Sequence, residues 1–247
     1  MAKLKRGEPA APAVAAAPAA GAEGGTVIDW PRLLAATKEH QVAEFLRERI
    51  ISGQLGRGQK LKQDEIARSL NISITPVREA LKLLEAQGYV VGYSHRGVIV
   101  APFEIEKAKE LFELRLLLEG GLTRIAAANA TAGDLRGLHE LNQEIVQAAS
   151  SGVHEKLRRA NYRFHFRLYE LARRPQTLEF VRVLWAKYPF DLVGVIPGRF
   201  DRANAEHGTV LKALTSGDAR KTMRAMQVHI ESNWREFKAT YPLYRSK

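Results

Sequence analysis

The stretch SITPVREALKLLEAQGYV, residues 73–90, carries the reading of the fold. Its spacing predicts an amphipathic helix with Thr75 at the N-cap and Pro76 at the first helical position, where a fixed φ and a missing N–H do no harm. Val77, Ala80, Leu81 and Leu84 recur at helical period and define an inward stripe. Gly88 stands just past the end, the residue type that closes helices in the left-handed conformation. Arg78 and Lys82 share the outer face. A cation in the first turn opposes the helix dipole by about 0.3–1 kcal/mol. That cost points to a partner for Arg78 outside the helix.

On the N-terminal side, TKEHQVAEFLRERIISGQL (37–55) carries apolar residues at helical spacing, and Gly53, Gly56 and Gly58 end it. KQDEIARSLNI (62–72) reads as a short helix with Ile66, Ala67 and Leu70 inward. Asn71 and Ser73 make the turn into the quoted helix, a helix-turn-helix pattern. On the C-terminal side the period changes to two. YVVGYSHRGVIVAP (89–102) reads as a β-hairpin with Gly92 and Gly97 near its turn. Three helices and a hairpin in this order make a winged helix-turn-helix. Docking physics then accounts for Arg78. The N-terminus of the second helix of such a motif enters the DNA major groove, where N–H groups and a guanidinium face phosphates and guanine edges. The hairpin tip, with His95, Arg96 and Gly97, lies along the backbone or minor groove. Two plainer readings stand beside this one: a winged helix that binds protein, and an Arg78 that pairs with Glu85 or a neighbour. Arg57, Lys62 and Lys82 read as solvated surface.

Residues 53–100 resemble the DNA-binding domain of the GntR family of bacterial regulators, through TPVREAL, LEAQGYV and RGVIV. The resemblance implies that Ser73, Thr75 and Arg78 contact DNA, with Gly97 of the wing close to it. Many relatives place arginine where Ile74 stands, and some place one where Asp64 stands.

The net charge of +11 does not by itself decide for nucleic acid. Residues 38–102 hold ten Lys/Arg against seven Asp/Glu, whereas residues 103–247 hold twenty-four against seventeen, so the excess is not gathered around the quoted helix. The absence of cysteine excludes disulfides, thiolate metal sites and cysteine nucleophiles. Residues 1–35 begin like a secretory signal, but Pro9, Pro12 and Pro18 break the apolar part, and the segment reads as a flexible Ala/Pro-rich tail. No stretch has the apolar length of a membrane span, and a cytoplasmic location is expected.

From Glu104 onward the pattern is helical, with six helices expected near 104–129, 132–151, 154–173, 175–188, 200–215 and 218–239. Short loops make neighbours antiparallel. The chain therefore divides into the tail, a winged helix-turn-helix over 36–102 and an all-α bundle over 103–243. Polar residues on apolar stripes are the informative ones. Arg115 and Glu119 ride the inward face of the first bundle helix. A buried charge costs several kcal/mol unless paired, so they form either an internal i,i+4 ion pair or a grip for a ligand carboxylate. Asn161 and His165 share a stripe with Phe164 and Leu168; His207 heads one, and His229 sits within another. A lone inward histidine is ordinarily a core residue. Three on three helices suit zinc or a similar divalent ion with positions left open. His40, His95, His139 and His154 lack that placement.

This half resembles the FCD effector domain of the FadR-type branch of the GntR family, through ELFELRLLLEGGLTRIAA (110–127), NYRFH, EHGTVLKALTSGD and MQVHI. Metal-binding relatives carry Asp where Asn161 stands, and a neutral amide is a weaker ligand. The resemblance implies a metal held by His165, His207 and His229 with Asn161, or a metal-free pocket in which the histidines and Arg115 bind an organic acid. The fold expected is mostly α, and the function an effector-controlled regulator, a repressor, that binds palindromic DNA as a homodimer. The rival is a metal-dependent enzyme with an appended winged helix. HExxH, GxSxG and Gly-rich phosphate loops are all missing from the sequence.

Overall fold

In the computed structural model, which describes residues 37–94, 97–188, 190 and 196–244, the quoted stretch forms helix α3, Ile74–Ala86. Val77, Ala80, Leu81 and Leu84 are all buried. The helix starts earlier than its spacing suggests. Ser73, extended at φ −70° and ψ 161°, is the N-cap rather than Thr75. Pro76 falls third in the helix, still within the first turn whose N–H groups have no intrahelical acceptor, so its missing N–H costs nothing there. Gly88 adopts φ 75° and turns the chain into the wing.

Helix α1 (Lys38–Ile51) packs on α3, and α2 (Gln63–Leu70) completes the trio. The inward face of α1 is Val42, Ala43, Leu46, Arg47 and Ile51, with Phe45 and Ile50 half-buried beside it. Buried Arg47 is held by Glu44, by a 2.8 Å hydrogen bond to Gln87 Oε1 and by the Tyr89 ring. The hairpin is β2 (Val90–Tyr93) and β3 (Gly97–Val100), antiparallel with Val90 opposite Val100 and Tyr93 opposite Gly97. A strand of two residues, β1 (Lys60–Leu61), adds to the outer edge of β3. Its length gives no period to read, and only the partner strand defines it.

After a single 3-10 turn, Ile105–Lys107, come α4 (Ala108–Asn129), α5 (Ala132–Ser150), α6 (His154–Glu170), α7 (Pro175–Lys187), α8 (Arg199–Thr215) and α9 (Ala219–Tyr244). Their ends carry the expected punctuation. Thr131 and Asp134 close a reciprocal capping box on α5, and Pro175 opens α7. Helix α4 packs against α9 and α7, and α5 against α6 and α8. Phe164, Leu168, Val181, Val210, Met226 and Ile230 meet in the core. No helix among the described residues is long and apolar enough to cross a membrane.

The winged helix is bonded to the bundle by polar contacts at the end of α1 and just beyond it. Arg57, expected as solvated surface, is half-buried and donates from Nη2 to the Tyr188 carbonyl at 2.7 Å. The Arg158 Nε donates to the Ser52 carbonyl at 2.7 Å, and Arg159 pairs with Glu48 at 2.9 Å. The tail, residues 1–35, and the tip residues His95 and Arg96 lie outside the described residues.

Candidate functional site

Two sites stand on this scaffold. The first is the exposed end of α3. Ser73, Thr75 and Arg78 are all exposed there. The Ser73 hydroxyl makes no cap hydrogen bond and the first turn has no acidic residue, so its N–H groups remain open to an outside acceptor. The two carboxylates nearest Arg78 in sequence are engaged elsewhere: Glu79 pairs with Lys82 at 3.0 Å, and Glu85 accepts from the Gly92 N–H at 2.7 Å. Arg78 has no ion-pair or hydrogen-bond partner among the described residues. Gly97 opens β3 at φ 79°, a conformation other residues rarely adopt.

The second site lies inside the bundle. His165 from α6, His207 from α8 and His229 from α9 are 1%, 1% and 4% exposed, and their ligating nitrogens all fall within 4.8 Å of one another. His40, His139 and His154 are exposed, as expected. The hydrogen bonds behind the rings determine the tautomers. A carboxylate only accepts, so Tyr169 donates its hydroxyl to Glu119 Oε2 at 2.6 Å. His165 Nδ1 must then donate to Tyr169 Oη at 3.0 Å, which leaves Nε2 as a bare lone pair. His229 Nδ1 donates to Glu206 Oε2 at 2.7 Å and likewise leaves Nε2 bare. His207 Nε2 lies 3.2 Å from His165 Nε2, and its Nδ1 is buried without a partner.

Burial holds the His165 and His207 rings well below the usual imidazole range, reinforced by the other imidazoles of the cluster. Burial also lowers His229, against the pull of Glu206. All three rings are therefore neutral at pH 7, the form that ligates metal. Burial would raise Glu206, but hydrogen bonds from His229 and Arg199 outweigh it and bring it down to about 2. Two Zn–N bonds of about 2.0–2.1 Å at a tetrahedral angle place their nitrogens about 3.3 Å apart. The observed 3.2 Å fits such an ion.

Arg115 and Glu119 lie behind this cluster. Both are fully buried, joined by a 2.6 Å bond from Nε to Oε1, with the guanidinium over the rings of Tyr188 at 4.4 Å and Phe190 at 4.8 Å. Of the two arrangements open from the sequence, they take the internal ion pair. Neither lines the cavity that His207, His229 and half-buried Asn161 share, whose volume is about 90 Å³. Instead Glu119 anchors Tyr169, and Tyr169 orients His165. Sequence reasoning missed Tyr169, Glu206 and Arg199. Two of them carried a signal: Tyr169 is one helical turn from His165 on the same stripe, and Glu206 directly precedes His207. Arg199 becomes recognisable through its 2.8 Å bond to Glu206.

Residues 38–100 match the family of bacterial regulatory proteins, gntR family, and residues 110–232 match the FCD domain. An uncharacterized HTH-type transcriptional regulator of Mycobacterium tuberculosis is 31% identical over 173 residues, covering 68% of this chain and 70% of that one. The Nta operon transcriptional regulator of Aminobacter aminovorans is 29% identical over 133 residues, 54% of this chain and 63% of that one. The solved structure of McbR/YncC from E. coli, 25% identical, aligns with a TM-score of 0.77 over 84% of this chain and 100% of that one. The relatives are transcriptional regulators and not enzymes, which removes the enzyme reading. The chain belongs to the GntR family: it is a DNA-binding transcriptional regulator whose winged helix-turn-helix is followed by an FCD domain.

Proposed function

We propose that the protein is a cytoplasmic repressor that sits as a homodimer on a palindromic operator and answers to a small carboxylate bound in the bundle cavity. One observation carries the DNA half of this reading: Arg78 is exposed beside an uncapped helix N-terminus and lacks any carboxylate partner among the described residues. In a two-fold dimer, each α3 enters one of two successive major grooves, about 34 Å apart. Ser73 and Thr75 hydroxyls and the open N–H groups meet phosphates, Arg78 reads a guanine edge, and Arg96 with Gly97 lies against the backbone. Arg78→Ala is expected to weaken binding to a duplex selected from random sequence by about 1–3 kcal/mol, with relaxed preference at one position of each half-site. Gel shift and footprinting measure this. An unchanged affinity and footprint would remove Arg78 from the interface.

For the effector half, the support is the convergence of three neutral imidazoles on one small space. His165, His207 and His229 hold a divalent ion such as zinc, and the Asn161 amide, on the cavity wall with His207 and His229, offers a neutral further donor. When bound, the ion supplies an electrophilic centre with a position for a carboxylate oxygen. Tyr169 and Glu119 keep the His165 lone pair pointing inward, and Glu206 does so for His229. Tyr169→Phe removes the acceptor for His165 Nδ1 and leaves the ring in place. Calorimetric titration with Zn²⁺ alone is expected to show about 10–100-fold weaker binding in this variant. Equal affinity in both proteins would mean that the hydroxyl does not orient the ligand.

A further inference from the structure

The cavity beside the histidines is not made by the FCD bundle alone. Ile51, the last residue of α1, and Arg158 of α6 stand in the same wall as His207 and His229. Two arginines line this cavity, and they differ in how they are compensated. Arg199 is buried and paired with Glu206 at 2.8 Å and with Glu236 at 3.6 Å. Arg158 has no carboxylate partner among the described residues, whereas its neighbour Arg159 pairs with Glu48. The hydrogen bond it does make runs from Nε to the Ser52 carbonyl, and its two terminal nitrogens have no partner among the described residues. The rest of the wall is largely apolar, with Ile145, Leu157, Trp185 and Phe200. An uncompensated guanidinium in such surroundings binds an anion more strongly than it does in water, and a carboxylate matches its geometry with two parallel hydrogen bonds.

The same side chain touches the DNA-binding domain. Ser52 is the C-cap of α1 and is 2% exposed. Gly53 follows at φ 74°, and its backbone lies so close to the guanidinium that a Cβ there would stand 2.4 Å from Nη2. The Arg158 head is thus packed against the turn by which α1 leaves for the wing strand β1. Whatever draws the guanidinium toward the cavity loosens its hold on that turn.

We propose that Arg158 is the receptor for the effector's carboxylate and the residue that couples the cavity to the winged helix. The inference rests on the carboxylate-effector reading above and adds to it a specific anchor, placed at the domain junction and not at Arg115. A small acid enters the cavity with its carboxylate on Nη1 and Nη2 and its carbon body against the apolar wall. The guanidinium shifts off the Ser52 carbonyl, and α1 is released from one of its ties to α6. By linkage, the acid and the DNA must change each other's affinity by one common factor.

The test uses the full chain, its selected duplex and four probes: acetate, lactate, succinate and citrate. Calorimetry measures binding of each acid, and fluorescence anisotropy measures duplex affinity with and without it. In the wild-type chain at least one of the four is expected to bind and to change duplex affinity by about 5–150-fold. Arg158→Gln is expected to weaken that acid at least about 10-fold, the loss of one charge-assisted bidentate contact, and to bring the change in duplex affinity close to one. Arg158→Lys keeps the charge but loses the Nε bond to Ser52, so it is expected to bind the acid at intermediate strength without the coupling. Circular dichroism confirms that both variants are folded. The proposal is overturned if the glutamine variant binds the acid as the wild type does, if the coupling persists in either variant, or if none of the four acids binds the wild type. Zn²⁺ titrated alone into the wild-type chain reports on the histidine reading separately. Failure there sinks the metal and leaves the arginine anchor standing.

Discussion

Replacing Glu119 by alanine is expected to destabilise the helical domain by about 3–5 kcal/mol, because one partner of a fully buried ion pair is then left without its counter-charge. Arg115 is 1% exposed, and no other carboxylate pairs with it among the described residues. Burial works against its charge and the Glu119 carboxylate sustains it. The same substitution takes the acceptor from Tyr169, whose hydroxyl is held protonated well above its usual range by burial and by that carboxylate. The loss is therefore felt in the His165 ring as well. An exposed pair such as Lys82 with Glu79 contributes about 0–1 kcal/mol in comparison. Urea unfolding followed by circular dichroism measures the difference. The double variant Arg115→Met, Glu119→Leu removes both charges together and should recover most of the loss. A single-variant cost below about 1 kcal/mol, the range of a surface pair, would mean that water reaches the guanidinium.

Acidification should produce an effect of similar size in the metal-free protein. The three cluster histidines have folded-state pKa values lowered below the ordinary imidazole value, which is about 6.5 in an unfolded chain. Above pH 6.5 the folded and unfolded chains bind the same number of protons at these rings, and their contribution is complete. As the pH falls through 6.5 the unfolded chain takes up protons that the folded one refuses, so stability is lost. Three such rings give a limiting slope of about 4 kcal/mol per pH unit. Glu206 acts lower down. Its folded value of about 2 means its contribution is present above the ordinary carboxylate range and disappears as the pH falls from there toward 2. Melting temperature followed from pH 7.5 to pH 5 is expected to stay nearly level down to about 6.5 and to fall steeply below it. His207→Leu, which removes a ring whose Nδ1 has no partner, should reduce the slope by about a third, one proton of three. A flat profile would mean that the rings take up protons as readily in the folded chain as in the unfolded one, and a slope unaltered in that variant would mean that His207 contributes nothing to it. Zn²⁺ should raise stability at pH 7 and do less at pH 5, since protons compete for the same lone pairs.

Much of this molecule was legible in its linear order, for a physical reason. Helix period, proline at helix starts and glycine at helix ends act over three or four residues. The pattern from Val77 to Gly88, the change to period two at Tyr89 and the break at Arg174-Pro175 therefore located helix, wing and bundle without reference to anything distant. The inward placement of His165, His207 and His229 followed from the same local rule, since a stripe is a property of one helix. The two-residue strand β1 was not legible, because it is defined by β3 some forty residues on. Nor could the sequence tell whether Arg115 was paired or waiting, which tautomer each histidine takes, or that Glu206 serves His229 across two helices. It also gave Arg158 no distinction from its neighbours Arg159 and Arg163. Those facts depend on distances between elements that only packing sets, at the tolerance of a hydrogen bond. The sequence by itself determined which surfaces turn inward and that a cation stands in the first turn of α3. The tertiary structure alone decided which inward groups meet, and that the wall of the cavity beside the histidines includes the last residue of a helix from the DNA-binding domain.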